Sequence, residues 1–302
     1  MAAAQMVGAT GLFVLMGAGV KAASTLYTPG ELVMARSVVG AVAMMLLMRW
    51  RGIALASPVP RLHLSRGVSG VVALCLWFTA IAGLPLATAM TLNSMSSVWV
   101  AVFVLAGVLL HRRRGTQAVD HGVVDARMVA ALLAGFTGVV LVLQPTFAQD
   151  QWLHGLVGLA SGVLAGVAYL QVSALGRAGE PGERVVFYFS LTGVLFGAAY
   201  AVLDGGFSAH TPRGLLLLAA IGALATAAQW MLTRAFATGA TLGVASLQYL
   251  GIVFSSLLGL ALFGEALPAT ATLGMGLIIV AGVAATLLGG RIRPTSAAAG
   301  DA

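Results

Sequence analysis

ATAMTLNSMSSVWVAV, residues 87–102, places Asn93, Ser94, Ser96 and Ser97 within five positions in the middle of a long apolar run. The meaning of that cluster depends on the solvent, and the rest of the chain identifies it. Of 302 residues, 60% are hydrophobic and 8% are charged, and the mean hydropathy is +1.00. A soluble domain carries about 25% charged residues, so this composition cannot cover a water-exposed surface. The chain reads as an integral membrane protein. In lipid an unsatisfied amide or hydroxyl is costly, so the polar groups of 87–102 must face protein or a wet cavity.

The formal net charge is +7 and the pI is near 10.5. The basic residues fall in short joints between apolar runs and form no extended face with interleaved aromatics, which argues against nucleic acid as a partner. Cys75 is the single cysteine, so neither an intramolecular disulfide nor a CxxC site can form. No cofactor and no metal site is expected.

Apolar runs long enough to cross about 30 Å of hydrocarbon as helix cover 3–24, 31–48, 66–84, 87–109, 127–144, 153–175, 184–203, 213–236, 241–263 and 269–289. The expected fold is all-α, with ten transmembrane helices; a β-barrel would instead show short alternating segments. The first run lacks a basic n-region and is expected to stay as a helix rather than be cleaved as a signal peptide. Joints after even-numbered helices carry Arg49, Arg51, Arg61 and Arg66, then Arg112, Arg113, Arg114 and Arg127, then Arg177 and Arg184. Arg234 lies near the next, and Arg291 and Arg293 follow the last helix. Joints after odd-numbered helices carry little beyond Arg213. By the positive-inside rule, both termini are expected in the cytoplasm of a bacterial inner membrane.

Sliding the chain on itself aligns 77–110 with 232–265, pairing Thr91 with Ser246, Asn93 with Gln248 and Trp99 with Phe254. RSVVG at 36–40 falls on FSLTG at 189–193, pairing Ser37 with Ser190 and Gly40 with Gly193. Five helices per repeat is an odd number, so the second half enters the membrane from the opposite side. The expectation is two inverted five-helix repeats, 1–148 and 149–290, a disordered cytoplasmic tail at 291–302, and a binding site near the midplane where the repeats meet.

These segments resemble the EamA-type transporters of the drug/metabolite transporter superfamily. The likeness rests on ELVMARSVVG (31–40), LWFTAIAGLPLATAMTLNSMSSVWVAV (76–102) and GFTGVVLVLQP (135–145) in the first half. In the second it rests on VVFYFSLTG (185–193), ATGATLGVASLQYLGIVFSSLLGLALFGEAL (237–267) and GLIIVAGV (276–283). The second half keeps FGE at 263–265, whereas its counterpart reads VLLHRRRG, which puts in doubt a symmetric carboxylate pair. The resemblance implies ten helices around a central cavity, alternating access, and export of small metabolites with amino acids leading, the aromatic amino-acid branch included.

The candidate substrate contacts follow from helical spacing. Asn93, Ser96, Ser97 and Val100 occupy one face of one helix, with Asn93 about 10 Å below its outer end by helical rise, and Gln248 is the repeat mate of Asn93. The serines read either as helix glue or as cavity wall; the two amides read as cavity wall. Trp77, Trp99, Tyr169, Trp230 and Tyr249 fall inside spans rather than at the interfaces, either as packing or as a pocket for an amphipathic solute. Lys21 and Arg36 are the basic residues within spans, candidates by depth unless their stems snorkel outward; Glu31 and Glu265 sit at outer helix ends, where they can pair with those cations. Gly158, Gly162 and Gly166 form a small-residue stripe for close helix contact, and Pro85, Pro145, Pro181, Pro212 and Pro268 mark joints.

No acid falls near the midplane, so facilitated diffusion or coupling through another group is expected. The partners expected are a small-molecule substrate and the lipid bilayer, with the chain a monomer or homodimer. A membrane-embedded enzyme is the rival class, but HExxH and paired midplane aspartates are missing. A passive channel or scaffold is a third reading, distinguished by the lack of saturable flux.

Overall fold

Helices begin where the sequence supplies proline and hydroxyl caps. Pro29, Pro60 and Pro212 stand in first turns, where the missing N–H has no intrahelical role. Thr28 and Glu31 close a reciprocal capping box, and the Thr211 side chain accepts from the Gly214 N–H. The elements of the computed structural model are α1 (Ala2–Ala23), α2 (Pro29–Trp50), α3 (Pro60–Gly83), α4 (Leu86–Ser94), α5 (Ser96–Arg113), α6 (Leu133–Val142), α7 (Trp152–Arg177), α8 (Gly182–Leu203), α9 (Pro212–Thr238), α10 (Thr241–Ser246), α11 (Leu250–Phe263) and α12 (Ala269–Gly289). The structure describes residues 1–113, 130, 133–135, 137–142, 151–239, 241–265 and 267–289.

Among the described residues all regular structure is helical. Eight segments of the described residues are long and apolar enough to cross a membrane: α1, α2, α3, Leu86–Val104, α7, α8, α9 and Gly243–Phe263. Two shorter apolar helices, Leu133–Val142 and Ala269–Ala281, fall where the fifth and tenth spans are expected. Arg114, Arg127, Arg291 and Arg293, the joint at 144–150 and the tail at 291–302 lie outside the described residues, as do the side chains of Arg112 and Arg113.

Three antiparallel pairs form the centre: α2 on α8, α3 on α7 and α1 on α9. Small residues set their spacing. A Cβ at Gly40 would sit 2.6 Å from the Ser190 Oγ, and one at Gly193 would collide with the Ser37 Oγ. Each serine of one helix therefore nests on the glycine of the other. One-sided close contacts also join Gly67 to Thr192 and Gly222 to Val39. Leu46, Leu195, Leu216, Leu257 and Leu273 project outward and are exposed, a surface suited to acyl chains.

One end of the bundle, called here the N-terminal end, carries the starts of α1, α3 and α8 and the ends of α2, α7 and α9. One boundary differs from the sequence reading with consequences for the site. The third helix starts at Pro60, not at 66, so Arg66 lies inside α3 and is 3% exposed rather than standing in a joint.

Candidate functional site

The stretch 87–102 does not form one regular helix. It breaks at Met95 between α4 and α5, and the matching stretch of the second half breaks into a 3-10 turn at Leu247–Tyr249 between α10 and α11. The offset that pairs Asn93 with Gln248 thus brings the two interruptions to nearly the same register. Mid-helix 3-10 geometry commonly marks a functional hinge. Side chains hold the breaks in place. The Ser97 Oγ donates to the Ala245 carbonyl at 2.6 Å, tying α5 to α10, and the Asn93 amide nitrogen donates to the Ser161 Oγ at 3.2 Å. The glycine stripe of α7 lets its backbone approach: a Cβ at Gly162 would lie 2.6 Å from the Leu92 carbonyl oxygen.

A cavity opens beside these breaks, enclosed by α1, α2, α3, α4, α7, α8, α9 and the start of α11. Its empty volume, counted out to its open side, is about 700 Å³. Arg36, Arg66, Asn93, Gln229 and Gln248 supply its polar wall. Phe13, Trp77, Tyr169 and Phe189 supply an aromatic one, with Phe13 set edge-on to Trp77. The two guanidinium groups flank a single ring: the Arg66 Cζ is 4.3 Å and the Arg36 Cζ 5.7 Å from the Phe189 centroid.

Of the residues expected from sequence to contact substrate, Asn93, Trp77, Tyr169, Gln248 and Arg36 line this cavity. The others lie elsewhere. Ser96 and Ser97 are buried at the helix break, and Trp99 stacks on Phe103. Tyr249 is buried in the main core. Trp230 sits toward the N-terminal end, where its Nε1 donates to Glu183 and the Arg51 and Arg234 guanidiniums lie over its ring. Lys21 pairs with Glu265 at 2.5 Å and donates to the Leu84 carbonyl, while Glu265 accepts from the Leu86 N–H. That cluster joins α1, the α3–α4 turn and the end of α11, away from the cavity. Glu31 engages Thr28 and Ser208 and leaves Arg36 alone.

Arg66 and Gln229 are cavity residues that the sequence reading passed over. The signal for Arg66 was present: with Gly70, Leu74 and Trp77 it repeats at three- and four-residue spacing on the buried face of α3.

At the N-terminal end, Glu180 anchors the connections between helices. It accepts from the Ser57 Oγ at 2.7 Å and the Arg184 guanidinium at 3.0 Å, and meets the His63 Nε2 at 3.1 Å. Burial pushes its carboxyl upward, but the hydrogen bonds from Ser57, His63 and Arg184 outweigh it and hold the group below its ordinary pKa. Arg51 bonds Glu183 at 2.5 Å nearby. No group of three or more His, Cys, Asp or Glu able to hold a metal occurs among the described residues.

Comparison with known proteins places this architecture among transporters. The pseudopaline exporter CntI of Pseudomonas aeruginosa is 33% identical over 268 residues, 89% of each chain. A Helicobacter pylori transporter is 26% identical over 279 residues, 90% of this chain and 89% of that one. The riboflavin transporter of Rhizobium johnstonii is 28% identical over 228 residues, 76% of this chain and 70% of that one. A solved crystal structure matches with a TM-score of 0.66 at 21% identity, over 94% of this chain and 97% of that one, a likeness of fold alone. No family model matches the chain.

Proposed function

Because the chain belongs to the family of bacterial membrane transporters that includes the pseudopaline exporter CntI, we propose that it exports small metabolites, amino acids foremost, by alternating access through the central cavity. The architecture proposed is the EamA-type one: ten spans in two inverted five-helix repeats, 1–148 and 149–290. The reciprocal contacts of Gly40 with Ser190 and Gly193 with Ser37 support it, since they are what a pseudo-twofold axis between α2 and α8 would produce. Both termini are assigned to the cytoplasm, a choice supported by Arg51, Arg184 and Arg234 gathering at the N-terminal end.

The observation that carries the functional reading is a cavity between the two halves flanked by two interrupted helices, with an amide from each interruption in its wall. Discontinuous helices present free backbone groups and side-chain amides to a solute at mid-membrane, and they give the rocking halves a place to bend. In this reading Asn93 and Gln248 contact substrate, Trp77 and Tyr169 wall it, and Ser97 and Gly162 keep the breaks aligned. An aromatic metabolite is the second reading, favoured by the four rings around the cavity.

The test is uptake by purified protein in liposomes against a panel of labelled amino acids, nucleosides and cationic drugs, with and without an imposed proton gradient. Saturable, competable flux of an amino acid is the expected result. Flux confined to another solute class would replace the substrate assignment, and unsaturable leak would contradict the carrier mechanism.

A further inference from the structure

We propose that Arg36 and Arg66 form an anion subsite, and that the cavity takes carboxylate-bearing solutes of net negative charge. This rests on the transporter reading for its biological meaning, though the subsite itself stands on geometry. Both arginines are at least 96% buried, at 4% and 3% exposure. The Nε of Arg36 and both the Nε and one terminal nitrogen of Arg66 are buried without a protein partner. Their distances to the shared Phe189 centroid bound the separation of the two charges at about 10 Å, comparable with the screening length of physiological salt.

No described acid answers them. Glu31 is taken by Thr28 and Ser208, Glu180 by Ser57, His63 and Arg184, Glu183 by Arg51 and Trp230, and Glu265 by Lys21 and the Leu86 N–H. Asp204, exposed at the end of α8, forms no ion pair with either arginine. An unpaired buried cation is among the most costly features a fold can carry, and two of like sign compound it. Intramembrane charges of this kind mark solute pathways.

The remaining orphans of the wall have the same polarity. The Trp77 Nε1 and the Gln248 Nε2 are also buried donors without a protein acceptor. The fully buried unpartnered polar atoms on the cavity-lining residues are thus donors, and a complementary solute is one that offers acceptors. A carboxylate does so with two oxygens matched to the guanidinium fork. A cationic solute would add a third like charge, and a neutral amide would spend its own donors against donors. Phe189, which both cations approach, offers an apolar contact to the carbon skeleton of the solute.

The asymmetry of the two halves agrees with a specific role. In the internal repeat Arg36 falls on Phe189, so the first half supplies the cations and the second the ring they flank. A structural device shared by both halves would repeat; this pair does not.

The test uses the purified full chain in nanodiscs of phosphatidylcholine, which offers no anionic headgroup. Binding of labelled glutamate, aspartate, succinate, citrate and phenylsuccinate is compared with that of glutamine and asparagine. The expected result is at least one acid bound tenfold or more tightly than its amide, with binding weakened tenfold or more in Arg36→Gln and in Arg66→Gln. Arg36→Lys and Arg66→Lys, which keep the charge and lose the fork, should fall between. Thermal unfolding of each variant identifies those that remain folded, and a folded Gln variant should shift its preference toward the amide, whereas a structural role would lower acid and amide alike. Amides binding as tightly as acids, folded variants binding acids unchanged, or no acid binding at all would each overturn the subsite. Acid binding without flux in the liposome assay supports the subsite and contradicts the transporter reading. Flux of neutral solutes that Arg36→Gln leaves intact does the reverse.

Discussion

A hydropathy window that opens at residue 66 treats Arg66 as the last polar residue of a joint, whereas the chain folds it a full turn and more into α3. The helix starts at Pro60, and the side chains of His63 and Arg66 turn inward on the face that carries Trp77. Hydropathy sums over all directions, and facing is visible only in the three- and four-residue period. Asn93 and Gln248 were legible for the opposite reason: an amide deep in an apolar run has few places to go except a protected cavity. Lys21 carried the same depth signal, and its partner Glu265, 244 positions away in sequence, was legible only because both stand at outer helix ends. The Glu180 cluster makes a testable claim about acid. Because its folded pKa lies below the ordinary value, its contribution is fully present above the ordinary carboxylate range and is lost as pH falls through the folded pKa. Glu180→Gln should therefore lower the unfolding temperature at neutral pH and flatten its decline in acid. An acid profile parallel to the wild type would remove Glu180 from that role.

Helix boundaries set by Pro29, Pro60 and Pro212 could be read from the chain, because proline acts on its own backbone. The breaks at Met95 and at Leu247–Tyr249 could not. Neither contains proline, and both depend on contacts from other helices: the Ser97 bond to the Ala245 carbonyl, and the close approach of α7 at Gly162. The glycine stripe itself was visible as a pattern, and the structure assigns it the face that receives the α4–α5 break. Gly162→Ala would press a methyl against the backbone oxygen of Leu92, which cannot rotate away. It should destabilise the protein by about 1–3 kcal/mol, the usual cost of overpacking. Gly11→Ala, where a Cβ meets nothing within 4 Å, is the control and should be near neutral. Thermal unfolding in detergent measures both, and equal effects would mean that the α4–α7 contact is looser than described.

The proposed inverted repeat draws on the pairing of 36–40 with 189–193, where Ser37 and Gly40 oppose Ser190 and Gly193. In the fold those same residues touch, each serine against the other's glycine. In the proposed architecture, repeat mates that meet each other lie on the axis relating the halves. Away from that contact the two halves differ, most visibly in the cavity's charges. That axis predicts that Gly40→Ala and Gly193→Ala each destabilise to a similar degree and that the double variant departs from additivity, since the two contacts share one interface. Strongly unequal single costs would argue that the resemblance of the two contacts is coincidental. The most direct measurement of the whole account is counterflow of the transported solute by purified protein in liposomes, comparing wild type with Asn93→Ala and Gln248→Ala at matched protein density. Loss of saturable flux in both variants, with unfolding temperatures retained, is the predicted result; wild-type flux in both would contradict a substrate site between the two broken helices.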